Sequence, residues 1–229
     1  MLDALRQDVF EANVELVRRG LVIASFGNAS GVARDEGLVV IKPSGVSYAD
    51  LRPENLVVTD LDGRTVEGDF RPSSDLPAHL VLYRAFPSIG GVAHTHSSFA
   101  TSWAQARREI PCLGTTHADY FRGPVPVTDA MTPAEIRSDY ERNTGEVIVR
   151  RFSDLDPSAV PAVLVAGHAP FCWGASVGDA VHVAVILEEI ARIAYQTVVL
   201  NPEILPLATD LGDKHFLRKH GPGAYYGQK

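Results

Sequence analysis

Residues 90–97 read Gly90-Gly91-Val92-Ala93-His94-Thr95-His96-Ser97, a short apolar run that ends on two histidines. On a strand, positions two apart point to the same face, so His94 and His96 project together and can chelate one divalent ion. A third histidine, His168, stands in Ala166-Gly167-His168-Ala169-Pro170-Phe171, just after the apolar run Ala162 to Val165, where a strand end can turn a ligand toward a pocket. Three neutral imidazoles with an open coordination position suit catalytic zinc, and manganese or cobalt satisfies the same ligand type. An isolated His-x-His is more often a pair of hydrogen-bonded core or surface histidines, so its meaning depends on what surrounds it.

Immediately upstream the pattern is helical. Pro72-Ser73-Ser74-Asp75 offers two N-cap hydroxyls and an acid for the first turn, Pro77 falls early in the helix, and Leu76, Leu80 and Tyr83 share one face until Pro87 stops it. Before that the chain is β-rich. Leu38 to Ile41 and Leu56 to Val58 are bounded by turn residues, and Asp62-Gly63 predicts a hairpin between Val57-Val58 and Thr65-Val66, so an antiparallel meander is expected. At the N-terminus Leu5, Val9, Ala12 and Leu16 recur at helical spacing, and Gly20 supplies the left-handed stop after Arg18 and Arg19. Downstream, Thr132-Pro133-Ala134-Glu135 is a capping box, Val147 to Val149 and Ala162 to Val165 read as strands, and a long helix runs from near Asp179 to Leu200, which Pro202 ends. Helices and strands intermingle without regular βαβ spacing, repeats or a Gly/Ser-rich linker, which predicts one α/β domain over residues 1–229.

Composition narrows the function classes. The chain has 229 residues, 45% hydrophobic and 21% charged, which fits a globular protein whose core needs neither disulfides nor a structural metal. With 21 Lys+Arg against 28 Asp+Glu the net charge is −7, which argues against a surface devoted to nucleic acid or to an anionic membrane. Cys112 and Cys172 stand far apart without a CxxC partner, so a reducing compartment is expected. Acids interrupt every apolar run of the first seventeen residues, and no stretch approaches the roughly 20 apolar residues a membrane span requires, so the cytoplasm is the expected location.

Other segments carry chemistry-bearing residues. Gly27-Asn28-Ala29-Ser30, Lys42-Pro43-Ser44-Gly45 and Pro72-Ser73-Ser74-Asp75 read as loops of small residues and hydroxyls whose backbone N–H groups can cradle a phosphate, although the same residues populate any turn. Gly114 to Phe121 sets His117 and Asp119 among hydroxyls and aromatics, where a partly desolvated carboxylate can act as acid or base, or where a cap or turn simply forms. Asp213 to His220 concentrates positive charge, with Lys214 and Arg218 on one helical face, as a solvated helix end also does. Tyr225 and Tyr226 imply that the chain end docks against something. Cys112, Cys172 and Trp173 read as packing residues.

Taken together, GNAS (27–30), IKPSGV (41–46), PSSDLPAHLVLYRAFPSIGGVAHTHS (72–97), GTTHADYF (114–121), GHAPF (167–171) and DKHFLRKHGPGAYYGQ (213–228) resemble the L-ribulose-5-phosphate 4-epimerases of the class II aldolase/epimerase family. The resemblance implies a three-layer α/β/α domain with a central, largely antiparallel sheet, assembled as a homotetramer whose active sites lie between neighbouring subunits. It implies zinc on His94, His96 and His168, with Asp75 beside it as a further ligand or acid/base. It assigns the substrate phosphate to Asn28, Lys42, Ser44, Gly45, Ser73 and Ser74, proton transfer to Asp119 and a second acid/base role to Tyr226. Thr115, His215 and Arg218 complete the substrate site, the C-terminal groups coming from an adjacent chain. The implied reaction inverts C4 of L-ribulose 5-phosphate to give D-xylulose 5-phosphate by breaking and re-forming the C3–C4 bond, with zinc as Lewis acid. A class II sugar-phosphate aldolase that releases the two fragments, and a non-catalytic scaffold of the same fold such as the adducin head domain, are the alternatives. The related aldolases carry Glu where Asp75 stands, which favours the epimerase branch, while Gly31 and Ala169 depart from the residues common in relatives.

Overall fold

The computed structural model describes residues 2–227, so the end of the quoted tail, Gln228, lies outside the described residues. In chain order the elements are α1 (Leu2–Arg18), β1 (Asn28–Ala33), β2 (Leu38–Ile41), β3 (Val57–Asp60), β4 (Thr65–Glu67), α2 (Leu76–Ala85), β5 (Gly91–His94), α3 (Ser98–Gln105), α4 (Thr115–Ala118), α5 (Pro133–Arg137), α6 (Tyr140–Arg151), β6 (Ala162–Leu164), β7 (Pro170–Gly174), α7 (Val177–Leu200) and α8 (Thr209–His220). The seven strands form one sheet in the order β4-β3-β2-β1-β5-β7-β6, and every ladder between them is antiparallel. The expected meander is the β1 to β4 half, with the Asp62-Gly63 turn joining β3 to β4 and Gly63 at φ 85°. No helix among the described residues is long and apolar enough to cross a membrane.

Neighbouring residues of β1 show how the layers are built. Ser30 reaches His79 and Tyr83 of α2, whereas a Cβ on Gly31 would meet Leu5 and Val9 of α1. Successive strand residues face opposite sides, so α2 and α1 cover opposite faces of the sheet and the architecture is the expected α/β/α sandwich. Gly31 pairs with Gly91, and Gly91 with Gly174. Cβ atoms at Gly91 and Gly174 would run into Val177 and Asp179 at the start of α7. This row of missing side chains lets the first turn of α7 rest on the sheet. Gly31 is therefore a packing residue on the α1 side, not part of a substrate loop.

Three local expectations are corrected. Val147 to Val149 is not a strand but the last part of α6, with Thr144, Gly145, Val147 and Ile148 buried. A Cβ on Gly145 would sit 2.7 Å from Val81 Cβ, so its absence lets α6 close on α2, and that packing overrides the β-propensity of a short Val/Ile run. Asn28 to Ser30 belongs to β1 and is not a loop. Asp75 occupies the N-cap of α2, ahead of its first turn, and makes no side-chain bond to the helix, which leaves its carboxylate free for other partners. The Thr132 capping box is present in full, and Gly20, at φ 69°, follows α1 as expected.

Candidate active site

Strand register gathers the first group of residues. Asn28 pairs with His94 and His94 with Phe171, making one row across β1, β5 and β7. Asn28 lies two residues before Ser30, so this row faces α2. The Phe171 ring stacks on that of His94 with centroids 4.2 Å apart. His94 Nδ1 donates to the Pro170 carbonyl at 2.9 Å, which leaves its Nε2 with a lone pair in the neutral ring. His96, just past the end of β5, brings its own Nε2 to 3.2 Å from that atom. His168, in the turn between β6 and β7, completes a triad in which one nitrogen from each ring lies within 4.8 Å of the others.

The donor set fits a divalent metal. Two imidazole nitrogens bound to one tetrahedral zinc at about 2.0–2.1 Å stand about 3.3 Å apart, close to the His94–His96 separation. His168 Nδ1 is buried without a hydrogen-bond partner among the described residues. Burial and the facing rings of His94 and His96 push the His168 pKa down to about 4, and burial followed by His94 lowers that of His96. Both rings are thus neutral near pH 7, the form a metal ligand requires.

Beside the triad, Asn28 Nδ2 donates to Asp75 Oδ2 at 2.6 Å and to Ser73 Oγ at 3.1 Å. Burial disfavours the Asp75 anion, but His94, His79 and the Asn28 amide outweigh it and hold the carboxyl below its ordinary range. The two serine loops are tied to each other: Ser73 N–H donates to the Lys42 carbonyl and Ser44 N–H to that of Arg71, both at 2.9 Å. Gly45 turns at φ 73°. Lys42 is buried, with Nζ donating to the carbonyls of Val46 and Pro43 and lying 4.8 Å from the centre of the Tyr48 ring. Ser74 is exposed. Asn28 and Asp75 therefore stand beside the histidine cluster, Ser73 is bonded to Asn28, and backbone bonds tie the Lys42–Ser44 segment to the Ser73 loop.

Asp119, Thr115, His215, Arg218 and Tyr226 assemble as a second group. Asp119 accepts from Arg218 at 2.9 Å through both carboxylate oxygens and from His215 Nδ1 at 3.0 Å, and Lys219 Nζ lies 3.6 Å away. Thr115 opens α4, and its carbonyl accepts the Asp119 N–H. The tail folds back on α8: the N–H groups of Tyr225 and Tyr226 donate to the Arg218 carbonyl, and the Arg218 guanidinium sits 4.7 Å from the Tyr226 ring centre. Both tyrosine rings stay exposed. No hydrogen bond, ion pair or aromatic contact among the described residues links this group to the triad.

Sequence reasoning missed four neighbours. His79, one turn after Asp75 on α2, is fully buried and bonded to Ser30, and the Asp75–His79 spacing was its only signal. Tyr48 donates to the Gly27 carbonyl at 2.8 Å and floors Lys42. The Tyr140 ring lies 6.3 Å from that of His168, brought there by α6, and Lys219 joins the Asp119 cluster.

Comparison with known proteins bears on the family and the fold. The family described as Class II Aldolase and Adducin N-terminal domain matches residues 7–195. A protein of Salmonella paratyphi B named L-ribulose-5-phosphate 4-epimerase UlaF is 52% identical over 228 residues, covering 100% of both chains. Among solved structures, an L-fuculose 1-phosphate aldolase superposes with TM-score 0.79 at 24% identity over 93% of this chain and 94% of its own, a likeness of fold. YgbL from Klebsiella pneumoniae, described as a putative aldolase/epimerase/decarboxylase, gives TM-score 0.73 at 27% identity over 92% and 97%.

Proposed function

The chain belongs to the class II aldolase and adducin family, and we propose that it is a metal-dependent enzyme converting L-ribulose 5-phosphate to D-xylulose 5-phosphate. The observation that carries the choice of branch is 52% identity along the whole chain with a protein named as that epimerase. The triad, Asp75 and the joined serine loops support it, because they supply a metal centre beside an anion cradle.

The C4 hydrogen of a ketopentose phosphate is not acidic, so inversion by simple deprotonation has too high a barrier. Breaking the C3–C4 bond gives the enediolate of dihydroxyacetone and glycolaldehyde phosphate, and attack on the other face of the aldehyde restores the bond with C4 inverted. A divalent ion held by His94, His96 and His168, zinc with manganese or cobalt as substitutes, would supply Lewis acidity toward the ketose oxygens. Asp75 stands beside that centre as a fourth ligand or as an acid/base. Asn28, Lys42, Ser44, Gly45, Ser73 and Ser74 hold the phosphate, so the aldehyde fragment can turn without leaving. Asp119 takes and returns the C4 hydroxyl proton on one face, and Tyr226 serves the other. Thr115, His215 and Arg218 line the same site. Because no contact joins the two groups among the described residues, we place the complete site between neighbouring subunits of a homotetramer. Exposed Ile193, Tyr195, Val199 and Leu200 along the end of α7 support such an assembly. The acidic net charge and two free cysteines fit a small-molecule enzyme of the cytoplasm that binds neither nucleic acid nor membrane.

The test is an assay of metal-loaded and chelator-treated protein on L-ribulose 5-phosphate, following D-xylulose 5-phosphate and free glycolaldehyde phosphate separately. Metal-dependent xylulose 5-phosphate without free fragments is expected. Accumulating fragments would make the protein an aldolase, and absence of turnover in metal-loaded protein would overturn the reading.

A further inference from the structure

Of the three histidines, His94 is fixed by its bond to Pro170, but His96 makes no ring hydrogen bond among the described residues except to His94 itself. Apart from ring packing against Phe26 at 5.7 Å, its placement depends on its backbone. That backbone runs directly into α3, whose N-cap Ser97 gives no side-chain bond to the helix. Thr101 N–H is taken by the Ser97 carbonyl, so the preceding first-turn N–H groups need another acceptor. Glu188, in the middle of α7, supplies it: one carboxylate oxygen accepts Phe99 N–H and the other Ala100 N–H, each at 2.9 Å. A bidentate carboxylate on a helix N-terminus is both a charge-assisted hydrogen-bond pair and a favourable partner of the helix dipole.

From this geometry we propose that Glu188 is a positioning residue for the metal centre, holding the start of α3 so that His96 Nε2 is kept facing His94. α7 is anchored on the sheet through its first turn, and one turn beyond Glu188 the Ala191 carbonyl accepts the Trp103 indole N–H at 3.0 Å, so hydrogen bonds tie α3 to α7 at two places, with the Phe99 and Tyr195 rings packed 5.9 Å apart beside them. Of these hydrogen-bonded ties, the Glu188 pair is the one at the end of α3 that carries His96. Removing it leaves two N–H groups to water and frees Thr95 to Ser97 to shift by the few tenths of an ångström that separate a good ligand set from a poor one.

This inference rests on the metal-centre reading, and the experiment separates the two. Metal-free wild type, Glu188→Gln, Glu188→Ala, Trp103→Phe and His96→Ala are titrated with cobalt(II), using its visible absorption band as the probe and a competing chelator to obtain affinity. Melting is recorded alongside. Glu188→Gln is expected to weaken cobalt binding about tenfold and Glu188→Ala by about 10–100-fold, with a changed band, as removal of supporting groups around a metal site does. Trp103→Phe is expected to lower the melting temperature while leaving affinity and band like wild type. Wild-type cobalt affinity and band in folded Glu188→Gln would overturn the proposal, as would an equal loss in Trp103→Phe, which would make the effect general loosening. If Glu188→Ala does not fold, Glu188→Gln decides. If wild type binds cobalt no better than His96→Ala, the metal centre itself falls and this inference with it.

Discussion

Asp119 accepts from Arg218 and His215 and lies beside Lys219, and although burial opposes its ionisation, these partners hold its pKa below the ordinary carboxylate range. It is therefore an anion at neutral pH, the form that accepts a proton, and its low proton affinity favours handing the proton back when the bond re-forms. Asp119→Asn keeps the shape and removes both properties. We expect turnover to fall by about 10²–10⁴-fold with metal content unchanged, measured by steady-state kinetics and metal analysis; near-wild-type turnover would leave Asp119 only the task of docking α8 onto α4. A second residue-scale expectation concerns His117, buried with Nε2 donating to the Gly123 carbonyl and its pKa pushed down by burial to about 4 from an ordinary 6.5. Because the folded value is the lower one, the unfolded chain takes the proton first, and stability is lost as pH falls from 6.5 toward 4. The full shift is worth on the order of 3 kcal/mol. Buried His79, pushed down to about 3, extends the loss further into acid. Denaturant midpoints at pH 7 and pH 4.5 should therefore differ, and His117→Gln, whose amide can still donate to Gly123, should reduce the difference. An identical pH dependence in the variant would refute the assignment.

At the scale of elements, the contact between β5 and α7 decides whether the histidine strand sits where it does. A Cβ at Gly91 would lie 2.3 Å from Val177 Cα and 2.4 Å from Val177 N, both backbone atoms that a rotamer change cannot move. Gly91→Ala should cost about 2–3 kcal/mol, read as a lowered denaturation midpoint, while Gly212→Ala in α8, where a Cβ meets nothing within 4 Å, should raise it by about 0.5–1 kcal/mol. Equal effects would mean that the glycine row is not what seats α7. The same contrast explains what could be read in advance. The meander, the helix from Leu76 and the long helix to Leu200 are written in local punctuation, in turn residues, caps and prolines that act within a few positions. The helix α6 was misread at Val147 to Val149 because three β-branched residues look alike in strand and helix, and only the fit of Gly145 against Val81 decides. Register is a long-range property, so nothing local announces that Asn28 stands opposite His94, that Tyr140 reaches His168, or that Glu188 caps a helix some ninety residues earlier. The histidines and loops were legible by residue type and by resemblance. Their supporting partners were not, because support comes from whatever the fold brings alongside.

For the whole molecule, the proposed intersubunit site treats one chain as holding two halves to be completed by a neighbour. Among the described residues no hydrogen bond, ion pair or aromatic contact joins the triad with Asn28 and Asp75 to the cluster of Asp119, His215, Arg218 and Tyr226. Tyr226 is held by its neighbours yet 59% exposed, as a group presented outward to another molecule would be. If the halves combine across subunits, a chain damaged in one half can be rescued by a chain damaged in the other. His96→Ala removes a ligand from the first half and Tyr226→Phe a hydroxyl from the second, and each homogeneous protein is expected to be inactive or nearly so. Mixed by unfolding and reassembly, they should regain activity, since some interfaces then join an intact triad to an intact Tyr226. Random assembly of equal amounts gives about one intact pairing in four, so recovery should approach a quarter of wild type. Differently tagged subunits purified as hybrids would show that mixing occurred. Confirmed hybrids without recovery would mean that each site is completed within its own chain, by a movement of α8 and the tail toward the triad.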